Sequence, residues 1–198
     1  MKIVDTRNKS QFLQAIKAAI KEKLPKAEAD DLSNFADEFF LSSFVDEFEG
    51  RRVSDILGLL VSARKFIQQY DGKSAKVAIF DPNLEEHGWQ SSHTTLMIMQ
   101  NNMPFIVDSM RMTLASREVK THTIQYASFQ IERDDKGKLE AFKSHKHKVH
   151  DASLGEGLVF IEIDRHTDED SKQALKECIS VVLDDVAVTV SDYSAMQE

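Results

Sequence analysis

The chain has 198 residues, 41% of them apolar, and its 33 acids against 25 bases give a formal net charge of −8. That balance repels phosphate backbones unless the bases cluster, so no nucleic acid is expected as a partner. One cysteine, Cys178, excludes an internal disulfide. No apolar run reaches the roughly 18–20 residues of a membrane span. The start MKIVDTRNKSQ lacks the apolar core of a signal peptide, so the expected setting is the cytoplasm, with no membrane partner.

Residues 10–24 place Phe12, Leu13, Ile16, Ile20 and Leu24 at helical spacing, with lysines opposite and Pro25 ending the run. A second helix is predicted over 29–48 with two apolar rows: Leu32, Phe35 and Phe39 on one, Phe40, Phe44 and Phe48 on the other. Both rows pack inside the chain, or one faces another domain or subunit. A third helix, 53–70, carries Val53, Ile56, Leu57, Leu60, Ile67 and Tyr70, with Gly58 tolerated at a cost of about 1 kcal/mol. The period changes at Asp71-Gly72, which divides the chain into an N-terminal helical unit, 1–72, and a second domain, 73–198.

Residues 76–80 read as a strand and Asp81-Pro82-Asn83 as a turn, followed by a loop with the lone tryptophan, Trp89. Residues 93–100 form a central strand with Leu96 and Ile98 on one face and Met97 and Met99 on the other. The methionine face must be covered by the helical unit or by a second subunit. A helix opens on Pro104, whose missing N–H costs nothing at a first helical position, and continues to 117. Strand character returns over 121–133, where the alternation slips and predicts a bulge near Ala127-Ser128. Asp134-Asp135-Lys136-Gly137 is a hairpin turn leading into a strand over 138–143; 158–164 is a strong strand, 167–183 a helix, and 186–190 a closing strand. From 93 onward the order is βαββαβ. The fold class is α+β, a ferredoxin-like antiparallel sheet with both helices on one face, preceded by about three helices.

Catalytic motifs are missing. Gly155-Glu-Gly157 lacks a third glycine and precedes a strand, and there is no phosphate-binding loop, His-Glu-x-x-His or CxxC, so no catalytic and no cofactor-binding residue is assigned. Cys178 lies in an apolar helical stripe and reads as an inert thiol. His145, His147 and His150 are candidate metal ligands by spacing, although Lys143, Lys146 and Lys148 crowd that loop with positive charge, and an exposed polar loop is the plainer reading. His93 and His122 read as structural strand histidines. The turn Asn101, Asn102, Met103, Pro104, Phe105 offers amides and helix N–H groups to a small carboxylate, the alternative being that Asn102 caps the helix.

The runs HGWQSSHTTLMIMQNNMPFIVDSM, ERDDKGKL and LVFIEIDR, with Pro104–Ser109 the most specific part, resemble the amino-terminal region of the large bacterial NAD-dependent glutamate dehydrogenases. The resemblance implies an ACT-like domain and a non-catalytic regulatory and assembly segment. The parent enzyme would convert L-glutamate to 2-oxoglutarate with NAD at sites further along. It also implies other domains of the parent chain as partners, an amino-acid effector and a homo-oligomer. Amino-acid-binding ACT modules place an acid, a proline and a glycine at this turn. Here Asn102 stands for the acid, and Phe105 stands where glycine is expected and would fill or narrow a pocket. The turn therefore reads as scaffold first and ligand site second. The alternative is a free-standing ACT-type amino-acid-binding regulatory protein. An RNA-binding module shares the strand order but needs exposed aromatics where this sheet offers Met97 and Met99.

Overall fold

A computed structural model describes residues 3–41, 45–142 and 155–196, with side chains to 191. α1 (Lys9–Lys23) starts where Asn8 Oδ1 accepts from the N–H groups of Ser10 and Gln11, and it buries Phe12, Ile16 and Ile20. α2 (Lys26–Phe39) follows Pro25 and stops earlier than the predicted 29–48 helix; after the break, Val45–Phe48 forms a single 3₁₀ turn. The reason lies in two consecutive phenylalanines. Phe39 and Phe40 are both buried, yet neighbours on a helix point about 100° apart. Ending the helix turns Phe40 onto Phe12 and Phe48, with ring centroids 5.0 and 5.4 Å apart and edges to faces. Both predicted rows, apart from Phe44, which lies outside the described residues, pack within this chain.

α3 (Val53–Phe66) ends the helical unit. Its Gly58 is more than tolerated: a Cβ there would sit 2.5 Å from Trp89 Cβ, so the glycine makes room for the buried indole, whose N–H donates to Ser62 Oγ at 3.0 Å. The predicted cost to helix propensity is offset by packing that no local pattern reveals.

Four strands follow, β1 (Lys76–Phe80), β2 (Thr94–Asn101), β3 (Thr121–Phe129) and β6 (Glu156–Ile163), in the antiparallel order β1-β2-β6-β3. β4 (Ile131–Arg133) and β5 (Leu139–Phe142) form a separate hairpin around the predicted 134–137 turn. A short helix, α4 (Leu84–His87), occupies the loop before Trp89. The βα units close with α5 (Ile106–Ser116) and α6 (Glu169–Met196). This is the expected α+β, ACT-like arrangement, with one substitution of parts. Residues 186–190 are not a strand. Val186 and Val190 extend the Ile179–Leu183 stripe at helical spacing, and the edge place beside β2 is taken by β1 from upstream. β-branched composition lost to helical continuity once that edge was filled.

Two further expectations change. No register shift falls at Ala127-Ser128; it lies between Thr121 and Thr123, and Thr123, Gln125, Ala127 and Phe129 then run in phase along one buried face. The apparent slip came from polar residues, Thr123 and Gln125, being buried there. And α5 begins at Ile106, two residues after Pro104, because Phe105 holds the N-cap position with a left-handed φ of 68°.

Alternation divides the sheet cleanly. Leu96, Ile98, Val159, Ile161 and Ile163 face α5 and α6. Met97, Met99, Leu158, Phe160 and Phe129 face the helical unit, where Phe35 stacks on Phe129 at 5.5 Å. The methionine face is thus covered by the helices, one of the two expected covers. Glu47 closes part of the outer edge of β3 by accepting from the Ile124 N–H and from Gln125 Nε2.

Candidate functional site

β2 delivers the turn Asn101–Phe105 to one end of the sheet, where β3 also finishes and β6 begins. The Asn101 N–H donates to Tyr70 Oη at 3.2 Å and its carboxamide donates to the Gly72 carbonyl at 2.9 Å. The Asn102 N–H donates to the Gly155 carbonyl at 2.8 Å. Its side chain accepts from the Tyr126 hydroxyl and donates to Ser128 Oγ at 3.2 Å. The helix cap expected of Asn102 goes instead to Phe105, whose side chain makes no capping bond. Tyr126 reaches Asn102 across β6 because Gly157 has no side chain; a Cβ there would lie 2.9 Å from the phenol ring. Burial pushes the Tyr126 hydroxyl above its ordinary pKa, which keeps it a donor.

Met103 packs against the α5–α6 core, whereas Pro104 is exposed and Phe105 is 66% exposed. Phe105 therefore does not fill a pocket. It does adopt the left-handed backbone for which glycine is favoured, at a cost of roughly 1–2 kcal/mol. Beside the turn, Gln100 continues the Leu96–Ile98 row, is 3% exposed, and its Nε2 has no hydrogen-bond partner. The sequence places Gln100 at the start of the turn as one of its side-chain amides, whereas Tyr126 and Ser128 were not assigned to it. Gly157, in phase with the core valine and isoleucines of β6, was the signal for Tyr126.

The opposite end of the sheet is charged. Glu162, fully buried on β6, is gripped by both terminal nitrogens of Arg51, with Nη1 3.0 Å from Oε1, and accepts from Ser91 Oγ at 2.8 Å. Burial pushes the carboxyl upward, but hydrogen bonding and charge from Arg51 outweigh it and hold Glu162 below the usual carboxylate range. His93 and His122 lie ring to ring at 4.0 Å, and His122 Nε2 is 2.5 Å from Asp164 Oδ1. Burial first and the neighbouring His122 second lower the His93 pKa. Cys178 is only partly buried and accepts from Arg117 Nε at 3.0 Å. His145, His147 and His150 lie outside the described residues, among which no group of three metal-binding side chains converges.

Residues 35–179 match the family model described as "Glutamate dehydrogenase, ACT1 domain". The chain belongs to that family. The ACT1 match opens inside α2 and closes inside α6, so it takes in the whole sheet, the turn, Gln100, Tyr126 and the Arg51–Glu162 pair. Two curated relatives, the NAD-specific glutamate dehydrogenases of Halomonas elongata and Pseudomonas aeruginosa, are each 33% identical, over 94% and 96% of this chain. The ACT1 chain spans only 12% of either relative's length. No solved structure matches it. At the turn, the ACT1 chain spends Asn101 on the segment after α3 and Asn102 on β3 and the residue before β6. Such an arrangement fixes the approach of α5; the donors left over are the first N–H groups of α5 and Gln100 Nε2.

Proposed function

We propose that this chain is a non-catalytic regulatory and assembly segment of an NAD-dependent glutamate dehydrogenase, whose oxidative deamination of L-glutamate to 2-oxoglutarate, with NAD, takes place elsewhere in the parent polypeptide. The observation that carries the reading is the pairing of ACT1 membership with a 12% share of relatives that bear the whole activity's name. The assembly part draws on α5. Phe105 and Met112, two turns apart on one face, are 66% and 73% exposed, and Phe105 holds a strained backbone without burying its ring. Other domains of the parent or a second subunit are the partners this face suits. The regulatory part rests on the buried, unpartnered Gln100 amide beside the start of α5, where a small carboxylate such as an amino-acid effector would find donors.

The test uses the full-length enzyme with Phe105→Asp and Met112→Asp together. Both positions are exposed, so folding is expected to survive, while subunit assembly measured by light scattering weakens. Unchanged assembly, together with calorimetry that detects no amino-acid binding to the chain, overturns the reading.

A further inference from the structure

Two histidines from strands that are not neighbours meet at the charged end of the sheet. β2 and β3 flank β6, and the register sets Thr94 of β2 and Thr121 of β3 each against Ile163, so His93 and His122 stand on either side of the point where β6 ends and Asp164 follows. The register shift of β3 makes His122 the extra residue of a bulge: Thr121 opposes Ile163, Thr123 opposes Glu162, and His122 has no register partner in β6. Released from the alternation of the strand, its ring lies against that of His93, with centroids 4.0 Å apart and planes 33° from parallel. Asp164 only accepts while ionised, so His122 Nε2 is the donor in their 2.5 Å bond.

The charges around the pair suit one imidazolium and not two. Asp164 and Glu162 face the rings from the β6 side and Arg51 from the connection before α3, while Lys120, at the entry to β3, acts on Asp164. Glu162 is committed to both terminal nitrogens of Arg51 and to the Ser91 hydroxyl. Asp164 can balance a proton on one ring. Protons on both would place two like charges in ring contact, beside the further positive charge of Arg51, and like charges that close repel. Solvent reaches the pair without unfolding, since the side chains of His122 and Asp164 are 26% and 58% exposed.

Both histidines adjoin the clamp between the helical unit and the sheet. His122 precedes Thr123, whose hydroxyl accepts from Arg51 Nη2 at 3.3 Å. The His93 N–H donates to Ser91 Oγ at 3.2 Å, and Ser91 in turn donates to Glu162. We propose that His93 and His122 form an acid-sensitive switch on this clamp: a second proton on the pair parts the rings, shifts the bulged residue of β3 and loosens the Arg51 contact with Thr123. His122 is the ring that gives way, because it lacks a register partner whereas His93 is tied to Ser91. Burial and the neighbouring His122 hold the His93 pKa below its ordinary value, which sets the switch on the acid side of neutrality. The device needs no ligand and stands apart from the regulatory reading of the turn.

The experiment is an acid titration of the chain from about pH 7.5 to about pH 5, followed by its imidazole and backbone amide resonances. The pair is expected to take up its protons in two steps about one pH unit or more apart, as coupled sites do. The amides of Arg51 and Thr123 are expected to move with the second step and not with the first. His122→Gln is expected to bring the His93 midpoint up toward the ordinary value of roughly 6.5, and His93→Gln to leave one step through which the Arg51 amide stays still. Rings that protonate independently, a His93 midpoint unmoved by His122→Gln, or Arg51 and Thr123 amides that stay still through the second step overturn the inference. The wild-type titration decides the first and third of these alone, so the test survives a variant that does not fold.

Discussion

The two faces of the sheet are built by different rules. Toward α5 and α6, β6 presents Gly157, Val159, Ile161 and Ile163, an aliphatic row against an aliphatic core. Toward the helical unit it presents Glu156, Leu158, Phe160 and Glu162, so two apolar residues are framed by two glutamates, each held by an arginine. Arg133 binds Glu156 at 2.5 and 2.6 Å and also reaches the carbonyls of Ile67 and Gly137; Arg51 binds Glu162. Aliphatic burial is non-directional and accepts many relative positions. Paired forks fix one position. The difference teaches that β6 fixes the register of the helical unit through its two arginine forks, whereas toward α5 and α6 it offers only aliphatic area.

The largest expected break is Glu162→Gln, which leaves Arg51 without its counter-charge and is expected to cost about 3–5 kcal/mol in urea unfolding. It also carries a pH signature. Because the Glu162 pKa is lowered in the fold, its stabilisation is full above the unfolded value of roughly 4.3 and is lost as pH falls through the folded value. The wild-type chain should lose stability in that acid window more steeply than the glutamine variant; parallel curves would remove the ion pair from the account. Next is Gly58→Ala. Helix propensity alone predicts a gain of about 1 kcal/mol. The clash with Trp89 Cβ predicts a loss of roughly 1–3 kcal/mol, and the sign of the measured change decides between them.

On the aliphatic face, Ile161→Val should cost about 0.5–1.5 kcal/mol and show no pH dependence, which sharpens the contrast with Glu162. Phe105→Gly removes an exposed ring and a strained φ, and its expected effect is a gain of up to about 1 kcal/mol by thermal unfolding. The smallest effect is His93→Gln. A lowered folded pKa means that the unfolded chain takes up the proton first, so stability falls as pH drops below about 6.5 and the glutamine variant should flatten that stretch.

Much of this was readable beforehand, and the failures share a cause. Strand and helix positions around Leu96–Met99 and Val159–Ile163 follow from period, and the cover over Met97 and Met99 follows from their being apolar on an otherwise buried strand. The break at Phe40, the role of Gly58 and the helical state of Val186–Val190 depend on partners far away in sequence: Phe12, Trp89 and β1 respectively. At the turn, the residues 101–105 were legible from the motif, but their use was not. Asn102 serves Tyr126 and Ser128 because Gly157 clears the way, and Phe105 takes the glycine backbone while leaving its ring outside.

One dimension of α6 has a mechanical consequence. Its 28 residues make a rod of about 42 Å, and Leu183 is its last buried side chain among those described. The base is clamped, since Lys172 joins Asp81 at 2.6 Å and Leu175 and Ile179 sit in the core. Beyond Leu183 the backbone of the helix runs on for about 20 Å. A tilt of roughly 10° at the clamp would swing the tip by about 3 Å over that length. A shift of the sheet too small to disturb its hydrogen bonds would thus emerge, at the far end of α6, as a displacement of several ångströms.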